Sequence, residues 1–290
     1  MIEIIKLMRP LQWMKNVFVF APLFFTGRLF DWALLLKTAI VFVAFCMAAS
    51  SIYCLNDARD AESDRKHPKK CRRPIASGAL SATTGYATMA TLMVLAVFLA
   101  FTVSAWVACC VVTYLVINVA YCLRLKQYAI LDVTLIALGF VLRVLGGGLA
   151  TGTWVSEWLV LMTFLLTLLL ALAKRNDDFR IFEQTGREPR KSIKGYNHDF
   201  INEVVSIVAA VTLVCYIMYT MSPDVIQRMG TRYVYLTSFW VLVGLLRYLQ
   251  NMTVFGRSGS PTKAMVKDRF LQVCVAGWIV SFAIIIYMKI

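Results

Sequence analysis

Asn56, Asp57, Asp60 and Asp64 place an amide and three carboxylates at helical spacing, where an apolar run gives way to polar residues. Positions 57, 60 and 64 are related by i, i+3 and i+7, so their side chains share one helical face, with Asn56 stacked on Asp60 at i, i+4. Three like charges on one stripe repel unless a cation sits among them. Mg²⁺ takes oxygen ligands octahedrally and shares its shell between one or two carboxylates, waters and substrate phosphates, which is the set this spacing offers. A solvated helix end with Arg59 and Arg65 as counter-charges is the competing reading of the same stripe.

A cationic run follows directly, His67-Pro68-Lys69-Lys70-Cys71-Arg72-Arg73-Pro74. Arginine can grip phosphate bidentately and lysine acts as a point charge, so adjoining segments could hold a metal and its anionic ligand together. Ordinary topology charge also accounts for Lys69 or Arg72 taken singly. A second mixed cluster, Lys174-Arg175-Asn176-Asp177-Asp178, follows a later apolar run in the same way. The echo predicts two polar clusters around one central opening. Arg190-Lys191-Ser192 and Tyr196 add further phosphate donors, while residues 183–188 read as a solvated loop. His67 and Cys71 have no second pair to complete a tetrahedral zinc site.

The elements that position these residues must be membrane helices. Of 290 residues 60% are hydrophobic, outside the range of soluble domains, and the eight cysteines lie mostly in apolar runs, as small buried hydrophobes do. Net charge is +14, which suits phosphorylated substrates or anionic headgroups; nothing resembles a reading head for nucleic acid. A span needs about 20 apolar residues. That criterion predicts about nine, over 13–30, 34–54, 83–102, 104–123, 130–149, 157–173, 203–221, 232–250 and 270–288, in one all-α domain covering 1–290. Pro22 predicts a kink in the first, and the third and fourth are so closely joined that they must form a tight hairpin. The first segment shows no cleavage site and is expected to stay.

Cations recur on alternate connections: Lys6, Arg9 and Lys15; Arg59 to Arg73; Arg124 and Lys126; Lys174 to Lys194; Arg247 to Arg269. Opposite them lie only Arg28, Lys37, Arg228, Arg232 and Lys289. The positive-inside rule therefore predicts a cytoplasmic N-terminus and an odd number of spans. Both acidic clusters fall on the cationic side, which topology alone does not require. Within the fifth span, Arg143 should face the bundle interior against a carboxylate or a bound anion, with Gly146-Gly147-Gly148 permitting close helix contact or local unwinding.

The motif Asn56-Asp57-xx-Asp60-xxx-Asp64 resembles the aspartate-rich hallmark of the UbiA superfamily of intramembrane prenyltransferases, whose second acidic motif follows the sixth helix. The stretches Arg9 to Asn16, Asp64 to Gly78, Tyr121 with Leu125-Lys126, Gly139 to Arg143, Ala173 to Arg175, and Arg190 to Ser192 with Tyr196 are similar to its polyprenyl-phosphate phosphoribosyltransferase branch. That branch commonly carries a glutamate after KRxx, where this chain has Asp178 preceded by Asp177.

The resemblance implies a UbiA-like bundle with its cavity open to the cytoplasm, in the inner membrane. It implies Mg²⁺-dependent transfer of 5-phosphoribosyl from phosphoribosyl pyrophosphate to a membrane polyprenyl phosphate, in cell wall biosynthesis. Asn56, Asp57, Asp60 and Asp64 would hold Mg²⁺; Lys70, Arg73, Lys174 and Arg175 would clamp phosphates. Asp177 or Asp178 would serve as the second acid, and Lys15, Asn16, Tyr121, Lys126, Arg143, Arg190 and Tyr196 would contact the donor or lipid phosphate. A phosphate monoester is largely dianionic near neutral pH, with a second pKa of about 6, so the nucleophile needs no dedicated base. Two rival readings use the same residues: prenyl transfer from a polyprenyl diphosphate to an aromatic acceptor, and transport of an anion or lipid phosphate, motivated by Arg143 and the glycine run.

Overall fold

Apolar runs bounded by short polar caps fold as helices throughout, and no strand occurs among the described residues. The computed structural model describes residues 2–66, 70–186, 188, 190–256 and 267–288. His67, Pro68 and Lys69 of the basic segment lie outside the described residues, as do Arg187, Arg257, Lys263 and Lys289 of the charge pattern. The α-helices are α1 Ile2–Met8, α2 Ala21–Phe25, α3 Trp32–Arg59, α4 Ala61–Arg65, α5 Ala82–Val103 and α6 Ala105–Leu123. They continue with α7 Leu131–Thr151, α8 Glu157–Thr185, α9 His198–Met221, α10 Pro223–Met229, α11 Ser238–Thr253 and α12 Arg269–Met288.

Side-chain oxygens start the long helices by accepting orphan backbone N–H groups, each such cap contributing about 1 kcal/mol. Asp31 caps α3 through Leu34 N at 3.3 Å, Ser81 caps α5 through Thr84 N at 3.0 Å, and Asn197 caps α9 through Phe200 N at 2.7 Å. Ser104 alone separates α5 from α6 and caps the second through Val107 N at 3.1 Å, which makes the tight hairpin expected from sequence. Helices α3, α5, α6, α7, α8 and α9 are long and apolar enough to cross a bilayer, and the chain is a multi-pass membrane protein.

Three expected spans take a different form. Residues 13–30 are not one α-helix: a 3₁₀ run, Pro10–Phe20, precedes the short α2. Arg9 is left-handed at φ 54°, Pro10 opens the run, and Pro22 cannot donate a helical hydrogen bond, so the local chemistry opposes a continuous span. The span expected at 157–173 continues as α8 to Thr185, which puts Lys174 to Asp178 on the same helix and makes 183–185 of the expected 183–188 loop helical. The stretch 232–250 is divided between a 3₁₀ turn, Tyr233–Thr237, and α11.

The chain forms two compact units. The first comprises Met1–Leu125 and Leu138–Val155, and the second Lys126–Ala137 and Ser156–Ile290. In the first, α3 is central, packing on α5, α6, α1 and the 3₁₀ run around Val41, Phe45, Ala48, Val107, Val111 and Tyr114. In the second, α8 packs on α9, and α11 on α9 and α12, around Leu169, Leu172, Ile193, Ile201 and Val205.

The glycine run serves close packing within the first unit. A Cβ at Gly146 would come within 2.8 Å of the Phe45 ring, and one at Gly147 would overlap the Val19 carbonyl oxygen. The second neighbour is backbone and cannot rotate away. Gly147→Ala is therefore expected to destabilise the detergent-solubilised protein by about 1–3 kcal/mol, the ordinary cost of overpacking, in thermal unfolding. An unchanged melting temperature would show that the 3₁₀ run yields freely.

Candidate active site

In the first unit the aspartate motif is built on a helix that breaks and resumes. Asp60 ends α3 and begins α4 at φ −89°, ψ 6°, yet Asp60 N–H still donates to Asn56 O at 2.9 Å and Asp64 N–H to Asp60 O at 2.8 Å. The four-residue rhythm survives the break, so Asp57 and Asp64 face the same way. Arg73 shows it directly: one Nη1 atom lies 3.2 Å from Asp57 Oδ1 and 2.6 Å from Asp64 Oδ2. Lys70 Nζ stands 4.0 Å from the other Asp64 oxygen. Asn56 Oδ1 lies 3.9 Å from Cys122 Sγ on α6.

Asp57 is the buried centre of this cluster, 1% exposed, and Oδ1 takes Arg9 as well as Arg73. Its second oxygen, Oδ2, is buried without a hydrogen-bond partner. A buried carboxylate oxygen left unpaired is costly and suits a further cationic ligand. Among the described residues, no three acidic, histidine or cysteine side chains converge on one point, so the motif is not a closed metal cage. An open set of one or two carboxylates completed by phosphate oxygens is the arrangement Mg²⁺ favours, and the residues fit it.

Arg9 was not among the site residues expected from sequence, although it stands in the quoted opening stretch. It adopts a left-handed backbone at φ 54°, uncommon outside glycine, with its guanidinium 4.9 Å from the centre of the Tyr53 ring. Such a conformation persists where surrounding contacts fix it.

The second unit gathers its cluster around Asp132, at the start of α7 and fully buried. Its carboxylate accepts Tyr196 OH at 2.7 Å and Ser192 OH at 3.2 Å. Arg175 Nε lies 2.8 Å from Oδ2, off the line a hydrogen bond needs, so this contact is ionic. Arg175 also pairs with Asp178, and Arg190 Nε lies 3.7 Å from the same Asp178 oxygen. Tyr196 OH in turn accepts Ile130 N–H at 2.8 Å. Burial, then the hydrogen bond to Asp132, push the Tyr196 phenol well above its ordinary value, so it stays a donor. Arg175 and Tyr196 are both buried, whereas Lys174 is exposed and Asp177 half-buried. Asp132 was absent from the expected site residues, an ionisable residue entering a span being its signal, and Ser192, expected as a phosphate donor, instead donates to Asp132.

The remaining expected residues are placed as follows. Asn16 and Arg143 meet in the first unit, at 2.6 Å from Arg143 Nε to Asn16 Oδ1. Arg143 also donates to Gly139 O at 2.6 Å and Tyr114 OH at 2.9 Å, and lies 4.7 Å from the Tyr114 ring centre and 5.0 Å from that of Phe140. Among the described residues its partners are thus neutral oxygens and aromatic faces and not a carboxylate, the first of the two partners expected, the other being a bound anion; both residues are buried. The charge is satisfied by dipoles and ring quadrupoles instead. Lys15 is exposed, Tyr121 packs against the core of its unit, and Lys126 sits in the 3₁₀ turn Leu125–Gln127.

This helical architecture has known counterparts. The sequence profile of the UbiA prenyltransferase family matches residues 17–272, and the chain belongs to that family. It is 34% identical to a decaprenyl-phosphate phosphoribosyltransferase from Mycolicibacterium smegmatis, over 99% of this chain and 93% of that protein. One of the same name from Corynebacterium glutamicum is 32% identical over 98% and 86%. A UbiA homolog from Archaeoglobus fulgidus, solved with GPP and Mg²⁺, shares the fold at a TM-score of 0.73 and 16% identity, covering 98% of this chain and 99% of that one.

Proposed function

We propose that this chain, acting as one transferase domain over 1–290, moves 5-phosphoribosyl from phosphoribosyl pyrophosphate to a membrane polyprenyl phosphate. A phosphate oxygen of the lipid attacks C1 of the ribose, the C1–O bond to pyrophosphate breaks, and pyrophosphate leaves with the bonding pair. The observation that carries the reading is near-full-length similarity to the two decaprenyl-phosphate phosphoribosyltransferases. The buried Asp57, with one oxygen unpartnered amid arginines, supplies a chemical reason for a polyphosphate ligand.

Asp57, Asp60 and Asp64, with Asn56, would hold Mg²⁺, which when bound draws charge from the leaving pyrophosphate. Arg73 and Lys70 stand beside those carboxylates and offer guanidinium and ammonium donors to phosphate oxygens. In the second unit the exposed Lys174 and the half-exposed Arg190 meet phosphate, with Asp177 three residues after Lys174 on the same helix. Arg175, buried between Asp132 and Asp178, positions that segment, and Tyr196 anchors it from the following turn. Asn16 and Arg143 position the amino-terminal stretch that carries Lys15, while Tyr121 and Lys126 contribute to lipid-phosphate binding. The active face is cytoplasmic, with the N-terminus on the same side of the inner membrane.

Radiolabelled phosphoribosyl pyrophosphate, polyprenyl phosphate and purified protein in detergent provide the test. Mg²⁺-dependent labelling of lipid with release of pyrophosphate is expected. No phosphoribosyl lipid at any chain length, with label passing to an aromatic acceptor from a separately radiolabelled polyprenyl diphosphate, would replace this reading with prenyl transfer.

A further inference from the structure

Arg9, left-handed at φ 54°, places its guanidinium on Asp57, the buried centre of the aspartate motif. We propose that Arg9 is a positioning residue: through the Asp57 carboxylate it holds Arg73 where Arg73 meets the diphosphate of the donor. The assignment rests on the transferase reading and gives the stretch ahead of the first long helix a part in it.

The backbone at Arg9 runs against two preferences. A side chain disfavours positive φ, and Pro10 disfavours helical values at the residue before it. Contacts on both sides hold it there. Arg9 N–H donates to Lys6 O at 3.2 Å, and Arg9 O accepts Gln12 N–H at 2.9 Å. Ser50, on α3, donates to Met8 O at 2.9 Å and accepts Trp13 Nε1–H at 3.0 Å, so one hydroxyl fixes the carbonyl before Arg9 and the ring four residues after it. The Tyr53 ring, a turn further along α3, lies 4.9 Å from the guanidinium, and Asp57, a turn beyond that, accepts it. Ser50, Tyr53 and Asp57 stand at i, i+3 and i+7, so a single face of α3 seats both the stretch and its charge.

What this seating controls is the division of Asp57 between two cations. Oδ1 takes both guanidinium groups, and Arg73 Nη1 stands nearer Asp64, at 2.6 Å, than Asp57, at 3.2 Å. Asp57 is 1% exposed and cannot turn to water for its charge. Without Arg9 it keeps one cation in place of two, and the attraction draws Arg73 inward, away from Asp64 and from the solvent side that leaves its side chain 23% exposed. A guanidinium committed to a buried acid has fewer donors to turn toward phosphate.

Full-length protein in detergent is titrated calorimetrically with inorganic pyrophosphate in the presence of Mg²⁺, and kcat/KM for phosphoribosyl transfer is measured on the same samples. Glycine accepts positive φ without strain, so Arg9→Gly spares the backbone and removes the charge. It should weaken pyrophosphate binding and lower kcat/KM at least about tenfold, the scale of one charge-assisted hydrogen bond, and Arg9→Lys, which keeps the charge, should recover part of both. A stretch that mattered only through its backbone would reverse this order, glycine serving as well as arginine and lysine no better, and that result overturns the assignment. In an Asp57→Asn background Arg9→Gly should lower kcat/KM by less than about twofold, because its effect passes through that carboxylate; an undiminished loss there also overturns it. Lys6→Gln, an exposed cation on Glu3, should change neither quantity, and a loss matching that of Arg9→Gly would reduce Arg9 to general charge. Pyrophosphate binding that depends on Arg9, with no phosphoribosyl lipid formed, would remove the transferase reading and leave the hold on the diphosphate standing; phosphoribosyl transfer indifferent to Arg9 would do the reverse.

Discussion

Asp57→Asn is expected to lower phosphoribosyl transfer by at least about 100-fold, the scale seen when one preorganised electrostatic group is removed from an active site. The substitution keeps shape and one acceptor but deletes the charge on which Arg9 and Arg73 both converge. It also replaces the unpartnered Oδ2 with an atom that carries no charge. Two consequences separate a ligand-binding role from a scaffolding one. Mg²⁺ should raise the melting temperature of the wild type and fail to do so in the variant, because stabilisation by a ligand requires affinity for the folded state. The fall should also persist at saturating phosphoribosyl pyrophosphate, since an interaction made only with the departing pyrophosphate lowers kcat and kcat/KM together. Asp60→Ala, which leaves Asp57 and its arginines in place, should abolish activity with little loss of stability. Wild-type turnover in Asp57→Asn would remove the metal assignment.

The features that were legible in the sequence are those set by local spacing. The i, i+3, i+7 relation placed Asp57 and Asp64 on one side, and Arg73 spans both even though the helix breaks at Asp60. Serine between two apolar runs gave the α5–α6 hairpin, and the glycine run gave close packing on Phe45 and Val19. What escaped depends on partners distant in sequence or on competing backbone preferences. Hydropathy read 13–30 as a span because it does not register the left-handed Arg9 or the two prolines that turn the stretch into 3₁₀ and short α segments. The carboxylate that buries Arg175 is Asp132, on a different helix, and no local pattern pairs them. Arg143 was expected inside the bundle against a carboxylate or a bound anion; it is buried as expected, and a carbonyl, an amide, a hydroxyl and aromatic faces from separate parts of the sequence surround it.

Asp132→Asn should be the most destabilising single substitution in the second unit, at about 3–5 kcal/mol, because it leaves a buried guanidinium beside a neutral amide. The carboxylate is fully buried and the Arg175 side chain 1% exposed, so water cannot replace the lost charge. Asp178, 16% exposed at its side chain, remains as the only acid the described residues place against that guanidinium. Tyr196→Phe removes one hydrogen bond to the same carboxylate without removing its charge and strands Ile130 N–H, a loss of about 1–2 kcal/mol. The order Asp132→Asn, then Tyr196→Phe, then Ser192→Ala should therefore appear in melting temperatures, the first falling by roughly 10 °C on the scaling for domains of this size. Equal shifts for the first two would mean that the Asp132–Arg175 ion pair adds nothing beyond the Tyr196 hydrogen bond to the same carboxylate. A positioning role for Arg175 adds a second signature: below its melting temperature Asp132→Asn should raise the KM for phosphoribosyl pyrophosphate more than it lowers kcat, because the exposed Lys174 next in sequence loses its fixed neighbour while keeping its own charge.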